Sequence, residues 1–375
     1  MTRLLVPLGT RPEIIKLAPV VRELAATGTT VRMIATGQHG DFGMSSAFFD
    51  ELDIHPDETW SLPTDPAARV AAILEGAERA LAHDRPDLVL VLGDTNTVPL
   101  FGLAARRNRV PVAHLEAGLR SFNPTSMEEV NRLVAAACAS LHLAPTDLAA
   151  RFLTDGGVDP ARVRVVGNPV IDVLVGLGVA RVAPEDRSGA VLTAHRATNV
   201  DDPGRLAELV TLVRLLADEC GTVTFPVHPR TRRRLEECGL VTQLDGDGIE
   251  LSGPVGYRTM SELVAASRVV VTDSGGLQEE ASYFGVPVVV LRRSTPRWEG
   301  IRDGTAVLVG MDAARAIEAV RELTTPDAQN RVATTPCPYG DGHTGERVAA
   351  LLGDDAVWEL LRLDEPDFVG REPPS

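Results

Sequence analysis

The stretch VVVTDSGGLQEE, Val269 to Glu280, constrains the fold more than any other part of the chain. Val269 to Val271 are β-branched and apolar, as a strand buried on both faces of a parallel sheet requires. Gly275 and Gly276 then let the backbone turn sharply and approach a ligand closely. The helix that follows offers free N–H groups and a positive dipole end, a ready place for phosphate. Glu279 and Glu280 enter that helix, where one acid can hold the hydroxyls of a ribose. A turn that grips an anion and an acid that grips a diol suggest a nucleotide. The plain alternative is an ordinary strand–turn–helix with an exposed Glu pair.

The same strand-then-helix pattern recurs along the chain. Strands are predicted at Leu4–Leu8, Val31–Ala35, Leu88–Leu92, Val110–Ala113 and Val163–Val166, with a Pro-started helix from Pro12. Helices are predicted at Pro66–Ala82, Thr97–Arg106 and Glu128–Cys138. After Asn168-Pro169 a second series begins, with strands at Ala190–Thr193, Val223–Val227, Val269–Thr272 and Val286–Leu291. Its helices are predicted at Pro203–Asp218, Tyr257–Ala266 and Leu277–Phe284. Alternation of this kind implies α/β architecture, with parallel sheets covered on both faces. Two series imply two Rossmann-like domains, 1–168 and 169–354, followed by a helix and tail at 355–375 that can pack back on the first domain. Ligands of such sheets bind beyond the C-terminal strand ends. Those ends carry Gly9-Thr10-Arg11, Gly93-Asp94-Thr95, His114-Leu115-Glu116, His195-Arg196 and Ser274-Gly275-Gly276, so they are expected to face one central cleft.

A chain of 375 residues, 44% hydrophobic, is long enough for two such cores. Its net charge of −15 lacks the basic face a nucleic-acid partner needs. No apolar run is long enough to span a membrane, and MTRLLVPLGT does not read as a signal peptide, so a soluble cytoplasmic protein is expected. Cys138, Cys220, Cys238 and Cys337 have no C-x-x-C spacing and read as reduced, structural thiols. All but one of the 37 basic residues are arginine, which makes single arginines uninformative and leaves Lys16 standing out.

GTRPEIIK, Gly9 to Lys16, lacks the G-x-G-x-x-G spacing of a dinucleotide site. Arg11 at a helix start can pair with phosphate, and Lys16 reads as a candidate buried ion-pair partner. Asp94 alone reads as an N-cap. Glu116 follows a buried strand between basic residues, which argues against a merely solvated acid. Glu128 and Arg132 read alone as an ordinary i,i+4 pair. His195 and His228 end neighbouring strands of the second series, which favours an anion site. No His/carboxylate spacing matches a metal cage, and no G-x-S-x-G elbow is present.

Taken together, GTRPEIIK, Gly37-Gln38-His39, Gly93–Thr95, HLEAGLR at His114–Arg120, EEVNR at Glu128–Arg132, GNPVID at Gly167–Asp172, the AHR turn, FPVHP and TDSGGLQEE resemble the non-hydrolysing UDP-N-acetylglucosamine 2-epimerases, in that family's order and spacing. The resemblance runs from about residue 3 to about residue 350. It implies a GT-B-like pair of Rossmann domains, a homodimer, no cofactor, no metal, and reversible conversion of UDP-GlcNAc to UDP-ManNAc through UDP elimination to a glucal. It further implies that Asp94, Glu116 and Glu128 are acid/base carboxylates and that His195 assists UDP departure. Arg11, Arg132, Ser274, Gly275, Gly276 and Arg297 would surround the phosphates, Glu280 would hold the ribose, and Lys16 would organise the N-terminal side. Gln38, His39, Arg196 and His228 match a region where many bacterial members bind a second UDP-GlcNAc as activator.

The chain departs from the family's usual pattern at several points. Thr198 stands where the family has Glu, Met127 where it has Pro, and Met260 where it often has Phe. Ser294–Glu299 replaces a pattern nearer T-x-R-P-E, and Gly40-Asp41-Phe42-Gly43 differs from the usual run. Three other readings stay open on sequence alone: a GT-B glycosyltransferase, a hydrolysing 2-epimerase releasing ManNAc and UDP, and an inactive nucleotide-sugar sensor.

Overall fold

The computed structural model describes residues 2–37 and 54–364. Within them the chain forms two compact units, one from 2–37, 54–118, 124–166 and 344–364, the other from 119–123 and 167–343. The α/β class with two Rossmann-like parallel sheets is the one read from the sequence.

The first unit holds β1 (Arg3–Leu8), β2 (Thr30–Ala35), β3 (Glu58–Thr59), β4 (Leu88–Leu92), β5 (Val112–Leu115), β6 (Leu141–Ala144) and β7 (Val163–Val165). They pair in parallel in the order β3-β2-β1-β4-β5-β6-β7. The second unit holds β8 (Ala190–Thr193), β9 (Val223–Pro226), β10 (Ile249–Ser252), β11 (Val269–Thr272), β12 (Val288–Val290) and β13 (Ala306–Leu308). Their order is β10-β9-β8-β11-β12-β13, again all parallel. In each sheet the chain runs outward one way and then the other, reversing at β1/β4 and at β8/β11. Those reversals are where the loops beyond the strands part and leave room for a ligand.

Burial on both faces explains the unbroken apolar strands. In β1, Leu4, Val6 and Leu8 join one core layer, while Leu5 joins the other. In β11, Val269 and Val271 pack with the helix Pro203–Cys220, and Val270 packs with the helix Gly275–Phe284. Four strands escape the sequence reading: β3, β6, β10 and β13. β3 has two residues, β10 and β13 are edge strands, and β6 carries His142 at its centre.

The chain returns to the first unit at Thr344, whereas the sequence reading keeps residues up to 354 in the second. The helix Thr344–Leu352 lies along the helix Arg11–Ala26, and Val348, Ala349 and Leu352 share a core with Leu17, Val20 and Leu24. A Cβ at Gly345 would meet the Pro19 carbonyl oxygen at 2.9 Å, so only glycine allows this approach. Val357 and Leu361, on the helix Asp355–Leu361, extend the same core. Gly345→Leu should therefore push the two helices apart, costing about 1–3 kcal/mol as overpacking does. A thermal melt should show the loss as a fall of several degrees, and an unchanged midpoint would mean the approach is slack.

Candidate active site

Several of the residues singled out in the sequence lie beyond the C-terminal strand ends of the two sheets. In the first unit, Gly9, Thr10 and Arg11 follow β1, Gly93-Asp94-Thr95 follow β4, and Glu116 follows β5. Lys16 lies on the helix Arg11–Ala26 and reaches Glu116 in a buried ion pair; the two residues are 8% and 6% exposed. Glu116 adopts a left-handed φ of 64°, uncommon for a residue with a Cβ. Its carboxylate stands over Gly93, where a Cβ would lie 3.6 Å from Oε2. Gly118, two residues on, has φ 85° and no room for a Cβ, which would meet the Ala149 carbonyl oxygen.

Asp94 does not cap a helix. The following helix, Thr97–Arg107, has Asn96 at its N-cap. Asp94 Oδ2 instead accepts from Arg132 Nε at 3.0 Å and Nη2 at 2.6 Å. Arg132 Nη1 donates to Glu129 at 2.9 Å, so Arg132 is held by Asp94 and Glu129 rather than by Glu128 as an i,i+4 partner. The reason is orientation: Glu129 and Arg132 lie on the buried face of the helix Met127–Cys138. Asn131 on that face donates to the Asp94 carbonyl at 2.9 Å. Glu128 is half-buried and accepts from Ser126 Oγ at 2.5 Å. His114 is buried, with Nε2 2.8 Å from the Gly93 carbonyl, and burial lowers its pKa, so it stays neutral.

A further carboxylate sits in this group. Glu13 Oε2 accepts from the N–H groups of Gly9 and Thr10 at 2.6 and 2.8 Å, and Oε1 accepts from Thr95 Oγ at 2.7 Å. Burial pushes its carboxyl up to about 7, against the pull of those hydrogen bonds, and the charge of Asp94 adds to the rise. The sequence signal for Glu13 is the capping box Thr10-x-x-Glu13.

In the second unit, Ser274 caps the helix Gly275–Phe284 and receives the Leu277 N–H at 3.5 Å. Arg297 lies across Gly275, where a Cβ would come 3.0 Å from Nη1. Its Nε and Nη2 donate to Glu279 Oε1 at 2.9 and 2.8 Å, and Asn168 Nδ2 adds a third bond there at 3.0 Å. Glu279 is fully buried; the exposed Glu pair of the plain alternative is not found. Glu280 is also buried, curls back toward Gly276, and stands beside Tyr257, whose hydroxyl is held protonated by burial and then by that carboxylate.

Asp273, directly after β11, is, like Glu13, a buried carboxylate that the sequence reading does not single out. It accepts from the N–H groups of His195 and Arg196, with Arg196 at 2.9 Å, and from Asn199 Nδ2 at 3.0 Å. His195 Nδ1 lies 3.2 Å from its carboxylate, which leaves Nε2 pointing away from Asp273. Burial opposes the charge on Asp273, but His195 and these hydrogen bonds hold its carboxyl below the usual range. The ring of His228 lies 5.5 Å from that of His195, and its Nδ1 accepts from the Arg230 N–H. Arg196 Nε donates to the Asp273 carbonyl at 3.1 Å. Gln38, His39 and the Gly40–Gly43 run lie outside the described residues. Among the described residues no group of three or more His, Cys, Asp or Glu side chains is placed to hold a metal. None of the described helices is long and apolar enough to cross a membrane.

Two parallel α/β sheets, each with its polar residues at the C-terminal strand ends, define a GT-B-like enzyme class. Known proteins narrow it further. The family model for UDP-N-acetylglucosamine 2-epimerase matches residues 22–353. The UDP-N-acetylglucosamine 2-epimerase of Methanocaldococcus jannaschii is 35% identical over 366 residues, 93% of this chain and 98% of its own length. The UDP-2,3-diacetamido-2,3-dideoxy-D-glucuronate 2-epimerase of Pseudomonas aeruginosa is 34% identical over 359 residues, 93% of this chain and 99% of its own. A crystal structure of the M. jannaschii enzyme in complex with UDP-GlcNAc and UDP superposes with a TM-score of 0.82 at 34% identity, over 94% of this chain and 99% of that one. The chain therefore belongs to the UDP-N-acetylglucosamine 2-epimerase family: it is an isomerase, of the non-hydrolysing type.

Removing one partner of the buried Arg297–Glu279 pair leaves an unpaired buried charge, which costs about 3–5 kcal/mol. Arg297→Met should lower denaturant stability by that order, and adding Glu279→Gln should recover part of it. Equal stability of Arg297→Met and the parent protein would show that the pair is not under load.

Proposed function

We propose that the protein interconverts UDP-GlcNAc and UDP-ManNAc by eliminating and re-adding UDP. The C2 proton is not acidic, so abstraction is coupled to departure of the leaving group at C1. A carboxylate takes the proton from C2 as the C1–O bond to UDP breaks, leaving a 2-acetamidoglucal and UDP. UDP then re-forms its bond to C1 while a proton is delivered to the opposite face of C2. Atoms balance without a redox partner or cofactor.

The observation that carries this reading is the arrangement of Asp94 and Glu116. They follow neighbouring strands, and each is gripped by a cation, Arg132 or Lys16, that holds its carboxylate in place. Such pairing sets carboxylates up for proton transfer. Glu128, one turn before Arg132, is the third acid. In the second unit, Ser274, Gly275, Gly276 and Arg297 would bind the phosphates, and Glu280 the ribose. His195, fixed by Asp273, would meet the departing phosphate through Nε2, and Arg11 would add positive charge. Lys16 acts by orienting Glu116. Gln38, His39, Arg196 and His228 remain candidates for a regulatory UDP-GlcNAc site.

The relative named for a diacetamido-uronate is nearly as similar as the one named for UDP-GlcNAc, so both sugars belong in the assay. Incubation with UDP-GlcNAc in deuterated water should place deuterium at C2 and produce UDP-ManNAc, followed by NMR. No C2 exchange with either sugar would sink the epimerase reading, while stoichiometric free UDP would favour hydrolysis. Asp94→Asn, Glu116→Gln and Glu128→Gln should each slow turnover about 100-fold or more, as loss of an acid or base does, with UDP affinity little changed. Glu280→Gln should instead weaken UDP binding about tenfold, the loss of a charged hydrogen bond.

We further propose a homodimer formed through the helix Met127–Cys138. The first turns of its inward face are polar, and four apolar residues point out: Met127, Val130, Leu133 and Val134 are 60, 39, 47 and 42% exposed. On the adjoining helix Thr97–Arg107, Leu103 is 42% exposed as well. A clustered apolar surface of this kind marks an interface. Sedimentation should give a dimer of the 40.0 kDa chain, and Leu133→Lys should give a monomer. A monomeric parent protein would refute the assembly.

A further inference from the structure

Glu13 has no part in the chemistry above, yet it is 5% exposed and joins two loops. A helix cap accounts for its bond to the Thr10 N–H. It does not account for Thr95, 82 positions away and beyond a different strand, whose hydroxyl donates to the other carboxylate oxygen at 2.7 Å. The Gly9 N–H, at 2.6 Å, gives a third bond. The loops so joined follow β1 and β4, neighbours at the strand reversal. One carries Arg11, and the other carries Asp94.

We propose that Glu13 is a positioning residue that locks the Gly9–Arg11 turn to the Asp94–Thr95 turn. Arg132 grips the Asp94 side chain from the helix Met127–Cys138, and Glu13 grips the next residue from the helix Arg11–Ala26. Asp94 is thereby held from two sides, and its carboxylate cannot swing with the loop. The inference rests on the role given to Asp94 above. Glutamine in place of Glu13 would preserve the tie: its oxygen accepts the two N–H groups, and its amide donates to the Thr95 hydroxyl, which rotates to accept. Alanine would abolish the tie, and Thr95→Val would remove only the link to the second loop.

Glu13→Ala, Glu13→Gln and Thr95→Val in the full chain test this by two measurements. Glu13→Ala and Thr95→Val should lower kcat for C2 deuterium exchange about 100-fold, as a misplaced catalytic group does, with KM within about twofold. Glu13→Gln should recover turnover to within about fivefold. Amide hydrogen exchange, which needs no turnover, should show residues 9–13 and 93–97 both losing protection in Glu13→Ala and keeping it in Glu13→Gln. Loosening of 9–13 alone would reduce Glu13 to a helix cap and overturn the proposal. Inactivity of the parent protein would defeat the epimerase reading, and the exchange pattern would still decide whether Glu13 ties the loops.

Discussion

The pairing of Lys16 with Glu116 governs the first unit. Taking two charges out of water costs several kcal/mol per ion, so neither residue tolerates burial without the other. Glu116 also sits in left-handed backbone, a conformation its Cβ disfavours. The ion pair holds it there, and Gly118 absorbs the sharp turn that follows. Glu13 and Lys16 lie three residues apart and thus on one face of their helix. One reaches the loop after β4, and the other reaches the residue after β5. A single helix face therefore fixes two neighbouring strand ends.

The second unit uses a different device for the same end. Asp273 is a buried anion surrounded by N–H donors, two of them backbone groups of the turn that carries His195. Those donors hold it ionised, and the ionised carboxylate in turn fixes the ring of His195. Arg297 is likewise fixed by Glu279, which Asn168 also holds. Groups restrained in this way need no reorganisation when charge develops on a ligand, and that is where electrostatic catalysis gains most.

The sequence made the sheets legible because burial on both faces demands runs such as Val269–Val271 and Leu88–Leu92. It hid β6, because a histidine interrupts so short a strand, and it hid the edge strands β3, β10 and β13, while the edge strand β7 was legible in its valines. Asp94, Glu116, His195 and Ser274 were legible as candidates near strand ends, but Asp273, which directly follows β11, was not. Nor were the partners of Glu116 and Asp94. Glu116 meets a lysine 100 positions away, and Asp94 meets an arginine 38 positions away, and no local period encodes such distances. Glu13, which the sequence reading does not single out, carries a local signal in the Thr10-x-x-Glu13 box, and that box accounts for one of its three bonds.

The helix Met127–Cys138 shows what such a site costs the fold. Its inward positions hold Glu129, Asn131 and Arg132, where a helix on a sheet ordinarily places leucine or valine. Arg132 bonds Asp94 and Glu129, and Asn131 bonds the Asp94 carbonyl and Asn96, so these inward places are filled by hydrogen bonds rather than by hydrophobic burial. The apolar residues displaced to the outside, Val130, Leu133 and Val134, gain nothing while water covers them. Stability must then come from the strands, whose side chains are almost wholly buried, or from covering that outer face. On this helix the residues that hold Asp94 take inward places, and Val130, Leu133 and Val134 are left on the outer face.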